Sequence, residues 1–346
     1  VARSLALAAT ALAGLEGNNR EREVWTLLER AESLARDVGA TWELALVRGH
    51  RATSSFMFGQ FEQVLEPSYE AERVLIENGS EHLRDSYHAR FSFCSVRLGA
   101  LLSLGMFERF STEFHAILQE ARSSENRHAQ LVLTLNQTLA EEMAGDPRVS
   151  IPRLEEQRSQ LPKRGFGTLQ AIYMQAVMRV ACTTHEYGWA TNIVDEAWEH
   201  FLSAPVRRSA LMRAFAHATH IRYVLNRWVV ERRTGDLDAA VRQDLQTLAK
   251  SPLPWCPQVI QRTHARLALL RGDRPRGIEL LRKSLLEPGN SSHLDVSAYD
   301  RWALAELVGG AEAEALRSEA EPRIRKEVQA DPLRVMTWYY PELFKQ

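Results

Sequence analysis

The sequence predicts an all-α chain, a right-handed superhelical solenoid of about eight antiparallel helical hairpins of tetratricopeptide type. Three observations predict it. Turn glycines recur through the 346 residues at Gly17, Gly59, Gly105, Gly145, Gly188, Gly235, Gly272 and Gly309, in steps of 37 to 47. Between them, apolar residues fall at i, i+3, i+4 and i+7, as in Phe61, Val64, Leu65, Ala71, Val74 and Leu75. No stretch alternates apolar and polar residues for long enough to read as a strand. A single hairpin cannot bury both its faces, so units repeating near every 40 residues must stack side by side.

The elements follow in order. "LALAATALAGL" (5–15) spans about half the apolar length a bilayer needs and could pass for a signal-peptide core. It runs in helical register into "EGNNREREVWTLLERAESLARDVG", so it reads as a packed first helix. The chain opens on Val1 rather than Met, which agrees with a piece of something larger. Polar or proline-bearing breaks then part the hairpins: "NGSEH" (78–82), "SSEN" (123–126), "LPKRGFG" (161–167), "SAPV" (203–206), "SPLPWCP" (251–257) and "EPGNSSH" (287–293). The period drifts most around 161–167 and 203–206, where the array is expected to be weakest. In "RRTGDLDAAVRQDLQTLAKSP" (232–252), Thr234 to Leu237 form the turn, and Leu237, Ala240, Val241, Leu245 and Leu248 form one stripe. Trp25, Trp42, Trp198 and Trp302 sit in helical stripes and are expected in the core. Residues 1–330 make the array, and 331–346 make a C-terminal tail packing on the last repeat.

Around Gly235 the chain resembles the tetratricopeptide repeat: Ala240 matches the small residue that lets two helices approach, and Pro252 the terminating proline. Asp244 and Thr247 stand where that motif has an aromatic and an alanine, and these repeats exceed its usual length. A broader likeness rests on "GATWELALVR" (39–48), "LPWCPQVIQRTHARLALLRGDRPRGIELLRKSLL" (253–286) and "WALAELVGGAEAEALRSEAEPRIRKEVQADPLRVM" (302–336). These are similar to the C-terminal helical-repeat region of large bacterial serine/threonine protein kinases. In that family a kinase domain is followed by a signalling-type ATPase module and then by such repeats. The resemblance implies a cytoplasmic sensory or protein-binding arm that regulates the attached kinase and ATPase. The chain ends in "TWYYPELFKQ", where that family closes on Pro-Gly. The alternative is a free-standing adaptor, or the effector-sensing arm of a transcription regulator.

Chemistry is sparse. The sequence holds no GxGxxG, HRD or DFG. Gly272-Asp273-Arg274-Pro275-Arg276-Gly277 is followed by Ile278-Glu279, where a phosphate loop needs Lys and then Ser or Thr, so it reads as a repeat turn. "HEYGW" (185–189) has Trp189 in place of the second zinc histidine. His217 and His220 share a helix face at i, i+3, but no third ligand is evident, so packing or groove lining is the reading preferred to metal. Glu141 and Glu142 are adjacent and point about 100° apart, which prevents them from acting as a carboxylate pair. Cys94, Cys182 and Cys256 lie far apart in sequence, form no CxxC, and suit buried thiols in a reducing cytosol. The sequons at Asn78, Asn136 and Asn290 mean little without a secretory route. No enzyme activity, cofactor, metal or membrane is expected.

The net charge of −1 gives no global field toward nucleic acid, which is the weakest of the partner classes. Charge is nevertheless uneven. From Pro205 to Arg242, eight arginines face three acids, enough for an electropositive wall holding an acidic peptide, a phosphate or nucleic acid. A solvated helix face with ion pairs is the plainer reading. Helical arrays bind along the concave face lined by the first helix of each hairpin. The expected groove residues are therefore His50, Arg51, Arg90, Arg97, Asn136, Tyr173, Arg213, His217 and Arg266. Their expected partner is a protein or peptide, an acidic one included, or the kinase and ATPase domains of the same polypeptide.

Overall fold

The computed structural model describes the chain except residues 78–82, 124–125, 145–146, 287–295, 328–330 and 345–346. The turn at Gly145-Asp146, the sequons at Asn78 and Asn290, the breaks at 78–82 and 287–293 and the middle of 123–126 therefore lie outside the described residues. Regular structure among the described residues is helix alone, with no strand. Two compact units emerge: Val1–Thr134 with Arg208–Leu211, and Leu135–Arg207 with Met212–Gln346.

The first unit holds α1 (Ala2–Glu16), α2 (Glu21–Asp37), α3 (Thr41–Met57), α4 (Glu62–Glu77), α5 (Leu83–Ser103), α6 (Phe107–Ser123) and the start of α7 (Arg127–Ala144). Each helix packs on the next, from α1 on α2 through α5 on α6, and α1 also packs on α3 and α3 on α5. The predicted turns close these pairs. At φ +75°, Gly59 donates to the Phe56 carbonyl at 3.0 Å while Gln60 donates to the Ser55 carbonyl at 2.9 Å. Two carbonyls that the end of a helix would leave unmet are thereby satisfied, in a conformation that only glycine takes cheaply. The same pair of bonds closes α5 at Gly105.

The apolar run at 5–15 packs through its smallest residues. Ala6, Ala9 and Ala13 are buried against Val24, Leu28, Ala31, Ala35, Val47 and Phe58, while Leu7 and Leu15 stay exposed. No described helix is long and apolar enough to cross a membrane. Between α3 and α5 the contact is closer still. The Phe93 ring lies on Gly49 of α3, and the Phe56 ring lies on Gly99 of α5. A Cβ at residue 49 would stand 2.0 Å from Phe93, and one at residue 99 would stand 2.8 Å from Phe56.

The second unit continues α7 and adds α8 (Ser150–Gln160), α9 (Thr168–Thr184), α10 (Tyr187–Ser203), α11 (Ala210–Val230), α12 (Leu237–Ala249), α13 (Cys256–Leu270), α14 (Arg274–Leu286), α15 (Val296–Val308), α16 (Gly310–Glu327) and α17 (Pro332–Tyr339). Gly188 is not a turn residue, because it lies inside α10. The reversal falls earlier, on His185, which takes the left-handed conformation at φ +62° and donates its N–H to the Ala181 carbonyl. At 161–167, the Gln170 side chain accepts from Gly167 N–H at 3.0 Å and donates to the Pro162 carbonyl at 2.9 Å, which ties that break down. Asp236 caps α12 by accepting from Ala239 N–H at 3.0 Å. On α12 the buried face is Val241, Asp244 and Leu248, while Ala240 is exposed. Helix α17 packs on α9, α15 and α16, and its Val335, Met336 and Trp338 join one core with Leu281, Trp302, Ile324 and Tyr340.

Of the tryptophans expected in the core, Trp302 is buried and Trp25, Trp42 and Trp198 are half-buried; Trp255 and Trp338 are the most completely enclosed. The α3–α5 contact yields a stability prediction. Gly49→Ala should cost about 1–3 kcal/mol through overpacking, and Gly99→Ala less, because Phe56 has less far to move. Thermal unfolding followed by circular dichroism would check both, and an unchanged midpoint for Gly49→Ala would refute the close approach.

Candidate functional site

Within the second unit, residues 331–344 lie across the first helices of successive pairs. Trp338 and Tyr340 are almost wholly enclosed. The Trp338 carbonyl accepts from Asn226 Nδ2 at 2.7 Å and from Arg222 Nε at 3.2 Å, both on α11. Tyr339 is sandwiched: its ring stacks on Tyr299 of α15 at 4.3 Å and carries the Arg222 guanidinium at 4.3 Å. Tyr340 donates its hydroxyl to Asp300 of α15. Asp300 also accepts a two-pronged contact from Arg262 of α13, at 2.7 and 2.9 Å, and a bond from Ser284 of α14. Burial, and next to it the Asp300 charge, push the Tyr340 phenol well above its ordinary range, so it stays a donor.

Arg266 of α13 completes the grip. Its Nε and Nη2 bond the two Glu342 oxygens at 2.6 and 2.7 Å, and Nη2 also donates to Asn226 Oδ1 at 2.9 Å. Both ends of the Asn226 amide are thus used, and only one orientation of it satisfies both bonds. The side chains of Arg266 and Glu342 are 4% and 6% exposed. Desolvation offsets most of the attraction in so enclosed a pair, but removing either partner leaves a buried charge unmet, at about 3–5 kcal/mol. The pair therefore selects more than it stabilises. Glu142 of α7 pairs with Arg222 Nη2 at 3.5 Å and with Arg179 Nε of α9 at 3.9 Å, and neither nitrogen makes a hydrogen bond.

A second cluster lies between α10, α11 and α12. Asp244 accepts from Nδ1 of His217 at 2.6 Å and from Nδ1 of His220 at 2.8 Å, and His220 stacks on Trp198 at 3.9 Å. The Asp244 carboxylate is therefore buried because α11 supplies two partners for it. Burial raises the Asp244 carboxyl, but the two histidine hydrogen bonds outweigh burial and hold it below its usual value of 3.8. Among the described residues, no three His, Cys, Asp or Glu side chains are placed to hold a metal.

No protein-family model, curated protein or solved structure matches the chain.

The residues expected to line a groove are placed as follows. Arg266 grips the C-terminal segment, and His217 is enclosed beside Asp244. Arg213 donates to the Arg207 carbonyl at 3.0 Å. Tyr173 is buried with its hydroxyl unpaired, and Asn136 is half-buried on α7. In the first unit, Arg97 is 3% exposed and meets Glu72 and Glu113, and Arg90 meets Glu72 and Glu120. Arg51 pairs with Glu32 at 3.2 Å, and the His50 Nδ1 lies 3.1 Å from the Thr10 hydroxyl. Burial, aided by Arg3, holds His50 down to about 4, so it is neutral at pH 7.

Sequence reasoning did not single out Asn226, Arg262, Tyr299 or Asp300. The available signal was the i+4 spacing of Arg222 with Asn226 and of Arg262 with Arg266, which puts each pair on one helix face. The phosphate-loop lookalike is a turn: Gly272 closes α13, and Asp273 caps α14 through Arg276 N–H at 3.1 Å. All three cysteines are free and buried, and burial pushes Cys94 up to about 12 and Cys182 and Cys256 up to about 11.

Two predictions follow from these clusters. Asp300→Ala should destabilise the chain by about 3–5 kcal/mol, because it strands Arg262; urea unfolding measures this, and a loss below 1 kcal/mol, the surface-pair range, would contradict the geometry. Because the Asp244 carboxyl is depressed on folding, its stabilisation is present above pH 4 and lost as pH falls through the lower folded value. The gap in urea midpoint between wild type and Asp244→Asn should therefore be widest near neutrality and narrow below about pH 4. A gap that stayed constant down to acid pH would remove Asp244 from the account.

Proposed function

We propose that the chain is a non-catalytic, tetratricopeptide-like solenoid arm that docks a protein or peptide segment and thereby regulates an attached or associated kinase or ATPase. One observation carries this reading: α11, α13 and α15 each contribute side chains that grip a stretch of polypeptide lying outside the helix pairs. Side chains from parallel helices can read such a stretch at both backbone and side-chain level, which is how helix-lined grooves take peptides. The three arginines facing it, Arg179, Arg222 and Arg266, favour a partner segment bearing carboxylates. Regulation would then follow from unequal affinity of the segment for two states of the neighbouring domain. The kinase-associated setting rests on the sequence likeness at 253–286 and 302–336.

Selection of random linear peptides against the purified full chain tests the docking reading. Recovery of peptides that bind in solution with micromolar affinity is expected; recovery of none, or phosphoryl transfer by the purified chain, would sink it. The setting is tested by the mass of the native product in its source cells. A product well above these 346 residues that carries kinase or P-loop peptides supports the signalling arm. One of this length leaves a free-standing adaptor.

A further inference from the structure

The grip on residues 331–344 says what the groove recognises. Asn226 and Arg222 read a main-chain carbonyl, which any sequence supplies. The remaining contacts read side chains. Tyr299 and Arg222 enclose a flat aromatic ring, Asp300 takes a phenol hydroxyl on the next residue, and Arg266 takes a carboxylate two residues later. Arg266 is held in one orientation by Asn226. Asn226 takes one N–H of its Nη2, the side chain is 4% exposed, and the paired Nε and Nη2 donors that Glu342 meets match the two oxygens of a carboxylate.

We infer that the groove across α11, α13 and α15 is a receptor for a partner segment bearing two adjacent aromatics followed within two residues by a carboxylate, and that residues 331–344 are its occupant in cis. The inference rests on the docking reading and deepens it by naming the partner's chemistry. Two facts favour a partner over permanent closure. The positive side of the groove is in excess among the described residues: three guanidiniums, Arg179, Arg222 and Arg266, face two carboxylates, Glu142 and Glu342, and Glu142 meets Arg222 and Arg179 only at 3.5 and 3.9 Å. A segment with a second carboxylate would balance that excess, which the cis occupant, with Glu342 alone, does not. Exchange also replaces like with like. A partner copying these contacts must overcome mainly the advantage of the tether, an effective concentration of order millimolar.

The probe is a fluorescein-labelled peptide of residues 331–344, DPLRVMTWYYPELF, titrated into the full chain and followed by anisotropy. Wild type should bind it only near the millimolar range. Glu342→Lys, which sets an ammonium against Arg266 and loosens the cis occupant, should bind it at least tenfold more tightly. Adding Arg266→Met to that variant should abolish the gain. Should Glu342→Lys fail to fold, Glu342→Gln takes its place. In wild type, saturating peptide should also speed hydrogen exchange at residues 335–340 as the cis segment leaves. Equal affinity in wild type and the loosened variant, with helicity intact, overturns the inference. So does a wild-type dimer with exchanged tails, which would give the groove to a second copy. If random selection instead yields peptides without the aromatic–acidic pattern, indifferent to Arg266→Met, docking stands and this inference alone fails.

Discussion

A buried guanidinium must meet a carboxylate, and that requirement orders much of this protein. Arg97 reaches Glu72 and Glu113 on the helices either side of its own, Arg262 reaches Asp300, and Arg266 reaches Glu342. Apolar stripes tolerate sliding, because one leucine serves nearly as well as another a turn away. A charge removed from water does not tolerate it: a shift of one turn strands both partners. The α3–α5 approach is set differently, by the Phe93 and Phe56 rings that lie on Gly49 and Gly99.

The helical pattern was legible because it depends on local rules. Glycines at 59, 105 and 272 end helices by their own hydrogen bonding, and an apolar period reads directly as a buried face. Where the reading slipped, a rarer local solution won. His185 takes the left-handed position, so the chain reverses before Gly188 instead of at it. Asp244 breaks the apolar stripe of α12 because its hydrogen-bonding partners lie on α11, 24 and 27 residues earlier. The site was less legible for the same reason. Residue type told which helices carry polar groups, but the orientation of a helix decides whether an arginine lines a groove or bridges two helices, and that phase is a tertiary property. Arg97 and Arg266 are the same residue in the same kind of helix; one closes a ladder of ion pairs, and the other holds the C-terminal segment.

The two polar clusters of the second unit differ in kind. Around Asp244 the hydrogen bonds join the two helices of one pair, α11 and α12, so the cluster belongs to the framework. Around Arg266 the carboxylate comes from outside the pairs, and a backbone carbonyl is read beside it. Recognition of main chain, ring and carboxylate together is what a peptide groove does. The framework supplies that grip on rigid elements, with α13 fixed by its own packing on α12 and α14.

The bonds from α11 to the Trp338 carbonyl join residues 112 and 116 apart in sequence, in a fold whose other ties are mostly local. Residues 331–344 are synthesised after every helix they lie across. During translation, α9, α11 and α13 can therefore pair with their neighbours while the arginine-lined face between them is still open to water. The arrival of residues 331–344 is a non-local step of folding, of the kind that is slow relative to pairing of neighbouring helices. Until then the nascent chain displays the surface that the finished one keeps covered, and a chaperone or a co-translational partner would meet it in that interval.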